Sequence, residues 1–581
     1  MRPISTRTFA RASLILAGLM FVVPFLQPYH IYPLTSFYNE WLAFALGLAA
    51  ALLLAKKECA AELALPAVAL APLGLLIVLA LQAALGRVTY LEQASTAAFY
   101  SVWALLLMLL GAALRRELGL TALAETLAWC LVVGGAMNAA IGVLQHFQIH
   151  TPFDFLVSRK TAQAVFGDLA QPNHFADYMA LALASAAYLY AREKLPGVLA
   201  VVLVSIFLPV LALTGSRSPW LYLSLFVVLT AVFSRYCRAA AGRRLVLFVM
   251  WLTPGFALAQ WVVTLSFFQP PQQEMLVTSA QRLFEVASGI AVRWQLYREA
   301  WAIFLNAPLL GAGFGQFAWH HFEYQALFGG VAGAQAPFNN AHNIVLHLLA
   351  ETGIAGTLPV LAAAGIWLTG LRRETLDLQH WWLLAVLGVV GIHSMLEFPL
   401  WYSYFLGPVA LLLGAGSTRL ITLRLARAGR WPMTALLAFA CFQAVVVIPP
   451  YRDFERLVFA TRNPDTIQVA NALAQAEHEP MLRPYVETVL SYGIVVSEDH
   501  LQDKLAFNQR VMQFAAWPDM VYRQALLLAL AGEQAAARHR FEQAARVNPE
   551  EIPRAVAALE ELDRRYPGKF KPLLELATAK R

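Results

Sequence analysis

The sequence predicts an all-α polytopic membrane protein, about 13 transmembrane helices followed by a C-terminal helical domain. Three observations carry that expectation. Hydrophobic residues make up 59% of the 581 residues and charged residues only 14%, against roughly 25% charged in a soluble domain; mean hydropathy is +0.57. Apolar stretches recur at about the 20 residues a helix needs to cross a ~30 Å hydrocarbon layer. Basic residues gather in every second connection, so the net charge of +7 reads as a positive-inside bias and not as a nucleic-acid surface.

In chain order the predicted spans are 12–28, 37–55, 65–84, 97–114, 123–147, 173–191, 197–214, 218–234, 245–267, 342–370, 381–397, 401–418 and 432–450. With the N-terminus inside, the cytoplasmic connections hold Arg2, Arg7, Arg11, Lys56, Lys57, Arg115, Arg116, Arg192, Lys194, Arg235, Arg238, Arg243, Arg244, Arg372, Arg373, Arg419, Arg424, Arg427 and Arg430. The opposite short loops hold only Arg87, Arg159, Lys160 and Arg217. That asymmetry sets the orientation. The first span follows three arginines, but no small-x-small site follows "FVVPFLQPYH", so it reads as a retained signal anchor. Cys59 and Cys237 fall on the cytoplasmic side and Cys130 and Cys441 within spans, so neither a disulfide nor a cysteine metal site is expected.

The chain divides into residues 1–267 (spans one to nine), a long outer loop 268–341, residues 342–450 (spans ten to thirteen) and an outer domain 451–581. Such a loop exceeds an ordinary connection. Within it "SAQRLFEVASGIAVRWQLYREAWAIFLNAP" has helical apolar spacing and reads as a helix along the membrane surface. In the last segment "VYRQALLLALAGEQAAARHRFEQAARVNPE" resembles a tetratricopeptide-type helical pair, without a clean 34-residue repeat. Such a domain either binds a protein partner on a concave face or only covers the membrane part.

Polar residues that are costly in this setting converge on the outer face. "LAQPNHFADY" (169–178) opens span six, "TGSRSPW" (214–220) joins spans seven and eight, and "AVRWQLYREAW" (291–301) lies in the long loop. "NNAHN" (339–343) opens span ten and "HSMLEFPLWYSYF" (393–405) joins spans eleven and twelve. Arg217 needs an anion in so short a link, either a lipid headgroup or a pyrophosphate gripped bidentately. Arg293 and Arg298 are the residues that would complete a clamp, Arg293 the better placed of the two in its apolar context. With Asn339 or Asn340 as helix cap, His342 falls in the first turn of span ten. It is then either a polar rim residue or, beside a cationic clamp, a general base. His347 and Glu351 do not share its face, so no metal pair forms with it. His393 and Glu397, four apart, share one helix face. "GAGFG" (311–315) follows no strand and opens no βαβ unit, which excludes a dinucleotide loop.

"RWQLYREAWAIFLNAPLLGAGFGQF" and "AHNIVLHLLAETG" resemble the Wzy/WaaL superfamily of O-antigen polymerases and ligases. "QPNHFADY" and "HSMLEFPLWYSYF", with the helical extension, are similar to the PglL-type protein O-oligosaccharyltransferases. The resemblance spans roughly residues 165–450. It implies a GT-C-like inner-membrane transferase with its site on the periplasmic side. Its donor would be an undecaprenyl-pyrophosphate-linked glycan and its acceptor a Ser or Thr hydroxyl of a periplasmic protein, typically a pilin. Lipid A–core or a second lipid-linked glycan would be the acceptor in the sister families. By the same resemblance His342 matches the essential histidine, Arg217 and Arg293 the pyrophosphate-holding arginines, and Gln171 the glutamine of "QPN". A functional tyrosine matches Tyr402 or Tyr404, with Tyr402 preferred; Asn173, His174, Asn343, His393 and Glu397 stand as supporting residues. The expected reaction is a single inverting displacement in which His342 takes the acceptor proton and the arginines hold the departing pyrophosphate. No acidic cluster stands ready to hold a divalent ion, so neither metal nor other cofactor is expected. A lipid-linked-glycan transporter and a membrane scaffold, which would not need His342, remain the other classes open from sequence.

Overall fold

The computed structural model describes residues 6–58, 62–159, 164–237, 239–268, 287–328, 337–424, 430–460 and 479–580. Arg2, Cys59, Lys160, Arg238, Arg427 and residues 279–286 of the predicted loop helix lie outside the described residues. Seven helices among the described residues are long and apolar enough to cross a membrane: Arg7–Leu26, Phe37–Leu54, Ala67–Ala84, Leu91–Leu118, Leu120–Phe147, Ala239–Val262 and Ile344–Arg373. Four shorter apolar helices, Gly197–Leu213, Ser218–Phe233, Leu378–Ser394 and Ser403–Gly416, accompany them. The chain is thus a mostly helical, multi-pass membrane protein. The predicted spans 173–191 and 432–450 fold as helices Pro172–Ala191 and Arg430–Val446 and meet neither description. In the first, Asn173, His174 and Asp177 dilute the apolar run.

The chain forms two compact units. The first comprises Met1–Leu73, Tyr100–Val286 and Val360–Val446; the second comprises Gly74–Phe99, Ala287–Pro359 and Val447–Arg581. The first is built round Pro172–Ala191, in which every side chain from His174 to Leu189 is buried. Its alanines let neighbours approach closely, as small residues do between membrane helices. A Cβ on Gly135 would lie 2.4 Å from that of Ala182. Tyr178 stacks on Phe25 at 4.4 Å and donates its hydroxyl to the Phe21 carbonyl at 2.7 Å. Trp382 donates its indole N–H to Ser185 Oγ at 3.0 Å and Trp381 to Thr230 Oγ1 at 3.1 Å, so each buried aromatic body brings a satisfied polar tip.

The all-α expectation needs one correction. Glu62–Pro66 and Leu420–Arg424 pair as an antiparallel two-stranded sheet, from Glu62 opposite Arg424 to Pro66 opposite Leu420. Leu420–Arg424 falls in a connection read as a cytoplasmic loop, and Glu62–Pro66 runs from another such connection into the first two residues of the span predicted at 65–84; there backbone groups that no helix satisfies find each other.

The second unit turns on a break in the helix Ile344–Gly370. Gly353 stands at φ 62°, ψ −163°, a conformation essentially restricted to glycine. The break frees backbone groups on both sides, and the stretch 308–313 takes them up. Ala312 N–H donates to the Ala350 carbonyl (2.9 Å), Gly313 N–H to that of Glu351 (3.1 Å), Ile354 N–H to that of Pro308 (2.9 Å), and Ala355 N–H to that of Leu309 (3.0 Å). Gln82 locks the join, its amide donating to the Leu310 and Glu351 carbonyls at 2.6 and 2.7 Å and accepting from Phe314 N–H at 3.1 Å. The glycines of "GAGFG" therefore serve close backbone approach: a Cβ on Gly311 would lie 2.2 Å from the Glu351 carbonyl carbon.

The helical pair read in the last segment forms as Pro518–Leu530 and Gln534–Val547, turned at Gly532 with φ +87°. It shares an apolar core with Leu501–Phe514, Ile552–Arg565 and Lys571–Ala579, centred on Met512, Val521, Phe541, Leu559 and Phe570.

Gly353→Ala should cost about 1–3 kcal/mol in backbone strain alone, before the contact of its Cβ with Leu309 O at 2.4 Å. Gly365, where an added Cβ meets nothing within 4 Å, is the control. Unfolding temperatures in detergent should fall by several degrees for the first and hold or rise for Gly365→Ala; equal temperatures would disprove the strained break.

Candidate active site

The predicted site residues fall into two clusters, one in each unit. In the first, Gln171 caps Pro172–Ala191, its side-chain oxygen accepting from His174 N–H at 2.5 Å, with Pro172 in the first turn. The preceding turn is firmly built: Asp168 accepts from Ser158 N–H at 2.8 Å, and burial pushes its carboxyl up to about 6. Asn173 then bridges two segments. Its amide donates to Glu397 Oε1 at 3.0 Å and its oxygen accepts from Ser216 Oγ at 2.8 Å. Ser216 neighbours Arg217, a half-buried residue at the N-cap of Ser218–Phe233. An arginine at the positive end of a helix dipole concentrates positive charge there, which favours an anion.

His393 and Glu397 do not share a helix face as expected, because Leu378–Ser394 ends between them. Glu397 turns to Asn173, while His393 Nδ1 meets the Tyr222 hydroxyl at 3.1 Å. The His174 ring packs edge-on against His393 (5.5 Å), Tyr402 (5.2 Å) and Phe405 (5.2 Å). Tyr402 is half-buried; Tyr404 is buried and its ring meets that of Phe25 at 5.5 Å. Glu40 fixes this stretch from a distant helix, its carboxylate accepting from Ser403 N–H at 2.5 Å and from the Tyr100 hydroxyl at 3.0 Å.

In the second unit the expected helix cap is corrected. Asn343 caps Ile344–Gly370, its side-chain oxygen accepting from the backbone N–H of Val345 and Leu346, each at 3.1 Å. Asn340 instead accepts from His342 N–H at 2.8 Å. His342 thus lies just before the helix, not in its first turn, at φ +52°. Asparagine two residues ahead closes a local turn, and a second asparagine is left to cap. The His342 ring meets Phe338 at 5.8 Å, and Phe338 meets His321 at 5.6 Å.

Arg293 and Arg298 lie on the helix Ala287–Asn306. Arg293 is half-buried; Arg298 is exposed, with its guanidinium 5.5 Å over the Phe328 ring. Leu296 and Ala300 of that helix share an apolar cluster with Phe317, Ala341 and Ala350. Two buried acid–histidine pairs flank this cluster. Glu299 accepts from Gln295 at 2.8 Å and faces His321 Nδ1 at 2.6 Å; Glu351 pairs with His347 at 3.3 Å and accepts from Phe317 N–H at 3.1 Å. Glu299, His321, Phe338 and Tyr222 were not singled out from sequence. The i,i+4 spacing of His347 and Glu351 was the one legible signal among these pairs.

Three family models match the chain: Virulence factor membrane-bound polymerase, C-terminal, over residues 381–561; O-Antigen ligase over 199–361; and Protein glycosylation ligase over 165–190. A general O-oligosaccharyltransferase of Acinetobacter baylyi is 25% identical over 405 residues, 69% of each chain. A ComP-specific O-oligosaccharyltransferase of the same organism is 22% identical over 295 residues, about half (51%) of each chain.

Removing one partner of a buried hydrogen bond leaves the other unsatisfied at a cost of about 1–3 kcal/mol, so Glu299→Ala and His321→Ala should each destabilise the protein. The double variant should cost at least ~1 kcal/mol less than the sum. Denaturant unfolding of the four proteins checks this, and strict additivity would show that the pair is not coupled.

Proposed function

Since the chain is a PglL-type member of the Wzy/WaaL superfamily and a glycosyltransferase-type enzyme, we propose that it transfers a glycan from undecaprenyl pyrophosphate to a Ser or Thr hydroxyl of a periplasmic, pilin-like protein. In this reading the chain crosses the bacterial inner membrane thirteen times with the N-terminus inside, in a GT-C-like arrangement. The outer loop and the tetratricopeptide-like C-terminal domain then face the periplasm. The positive-inside asymmetry supports that orientation.

The observation that carries the chemistry is the setting of His342. Its ring is held ahead of a capped helix by the Asn340 turn and the Phe338 contact, on a stretch whose neighbour Ala341 packs in the same cluster as the helix bearing Arg293. His342 takes the proton from the acceptor hydroxyl as that oxygen attacks the anomeric carbon; the bond to the pyrophosphate oxygen breaks with inversion. Arg293, with Arg298 at the exposed edge of the same helix, neutralises the charge that grows on the pyrophosphate, and Arg217, at its own helix N-terminus in the first unit, is a further candidate for holding an anion. Pyrophosphate leaves without a protonating acid, so the reaction asks for cations and a base and not for two carboxylates. Gln171, Asn173 and Glu397 hold the segments that bear Arg217 and Tyr402, with His174 and His393 packed beside them, while Asn343 fixes the helix start beneath His342. A second reading, an O-antigen ligase or polymerase acting on a sugar hydroxyl, is favoured by the O-Antigen ligase match over 199–361. Both relatives bear the name of O-oligosaccharyltransferases, and the Protein glycosylation ligase model matches residues 165–190, which supports the protein acceptor as the first reading.

The test is glycan transfer in a reconstituted system, with the lipid-linked donor and pilin, lipid A–core or no acceptor. Wild type should glycosylate pilin. His342→Ala should lose about 10²–10⁴-fold, and Arg217→Ala or Arg293→Ala about 10²–10³-fold, with activity unchanged by EDTA. Product on lipid A–core, or full transfer by His342→Ala, would overturn the acceptor or the base respectively. The two tyrosines separate in the same assay. Tyr402→Phe should lower transfer without lowering the unfolding temperature, whereas Tyr404→Ala should lower the unfolding temperature by loss of its core packing. The reverse pattern would exchange their roles.

A further inference from the structure

The helix Phe317–Phe328 has two occupied faces. Trp319 and Phe322 enter the apolar core of the C-terminal helices. There the Arg540 guanidinium lies 5.1 Å over the Trp319 ring, and Arg546 donates to the Ala326 carbonyl at 3.3 Å. Phe317 and Tyr324 belong to the cluster that holds Ala341 and Phe338, and His321, fully buried, is fastened to Glu299. Residues 319, 322 and 326 recur at helical spacing on one face, and 317, 321 and 324 on another. One short rigid element thus joins the core of the C-terminal domain to the ring that packs on His342.

His342 is the residue in this region that most needs such support. Its backbone stands at φ +52°, a conformation that costs a non-glycine residue about 1–2 kcal/mol and persists only where its surroundings over-determine it. Its restraints are the Asn340 turn, the packing of Ala341, and the Phe338 ring wedged between His321 and His342. A shift of Phe317–Phe328 moves His321 and frees Phe338, and the histidine loses its aim.

We propose that the C-terminal domain positions His342, with Arg540, Trp319, His321 and Phe338 as positioning residues acting in that order. The functional consequence rests on His342 being the base. The domain is then a wall of the site, and engagement of its far face by an acceptor has a mechanical route to the histidine.

The experiment uses the full-length protein in lipid nanodiscs, comparing wild type with Trp319→Ala, Arg540→Ala and Phe338→Ala, and with the conservative Trp319→Phe and Arg540→Lys. Two readouts are taken: kcat and donor KM for transfer, and the rate at which diethyl pyrocarbonate modifies His342, followed by peptide mass spectrometry. Expected are a fall in kcat of about tenfold or more at little-changed donor KM, an altered His342 modification rate, and recovery of both in the conservative variants. Arg540→Ala, which removes no member of the apolar core, keeps the test decisive should Trp319→Ala fail to fold. An unchanged His342 modification rate and kcat in folded Arg540→Ala and Phe338→Ala would overturn the proposal. Altered modification rates alongside full transfer by His342→Ala would leave the positioning intact and defeat the base reading alone.

Discussion

The break at Gly353 is the constraint on which the second unit depends. A membrane helix cannot leave carbonyl and N–H groups unmet in an apolar setting. Here the unmet groups are answered by the backbone of 308–313, with the Gln82 amide and the Thr357 hydroxyl donating to the Glu351 and Gly353 carbonyls. Backbone pairing demands close approach, which is why glycine stands at 311 and 353 and why Gln82 is buried with both ends of its amide engaged. The same contact fixes where the stretch 308–313 ends and Phe317–Phe328 begins. Glu351, just before the break, caps that second helix through Phe317 N–H while holding His347. One irregularity thereby sets the geometry of several elements at once.

The first unit solves a different problem, that of starting a buried helix with polar residues. Pro172 supplies a preset φ and needs no N–H partner, Gln171 satisfies the N–H of His174, and Asn173 spends both ends of its amide on neighbouring segments. The cost of burying these groups is offset because nearly all are hydrogen-bonded. Asp177 is an exception at both of its oxygens. Neither of its oxygens has a well-formed partner, although Tyr222 lies close enough to interact. A buried carboxyl beside Tyr222 without a well-formed partner is costly, and function is a common reason for tolerating one.

Much of this was legible in the sequence, for reasons of period and composition. Long apolar runs, the proline and glutamine before span six, and the helical pair near the C-terminal end all announce themselves locally. The cap at Asn343 was misassigned because "NNAHN" offers three asparagines within five residues, and only backbone geometry tells which turns and which caps. His393 and Glu397 were set on one face because spacing of four implies a helix; the chain leaves the helix at Ser394, and that choice depends on packing with Asn173. The Glu299–His321 pair and the Glu62–Pro66 strand were invisible because their partners lie far along the chain or in loops without a strand period. What a single sequence withheld was long-range pairing.

That withheld information bears most on His342. From sequence it was a polar residue at a helix start, as fit for the rim as for catalysis. The structure gives it a strained backbone, an asparagine that bends the chain beneath it, and an aromatic ring against its own, itself backed by a buried acid–histidine pair. A rim residue needs none of these, since an exposed histidine gains nothing from a fixed rotamer and pays entropy for it. Strain held by several independent contacts is the signature of a side chain whose direction matters. The stacking of restraints, more than the identity of the residue, is the physical reason to propose His342 for the chemical role.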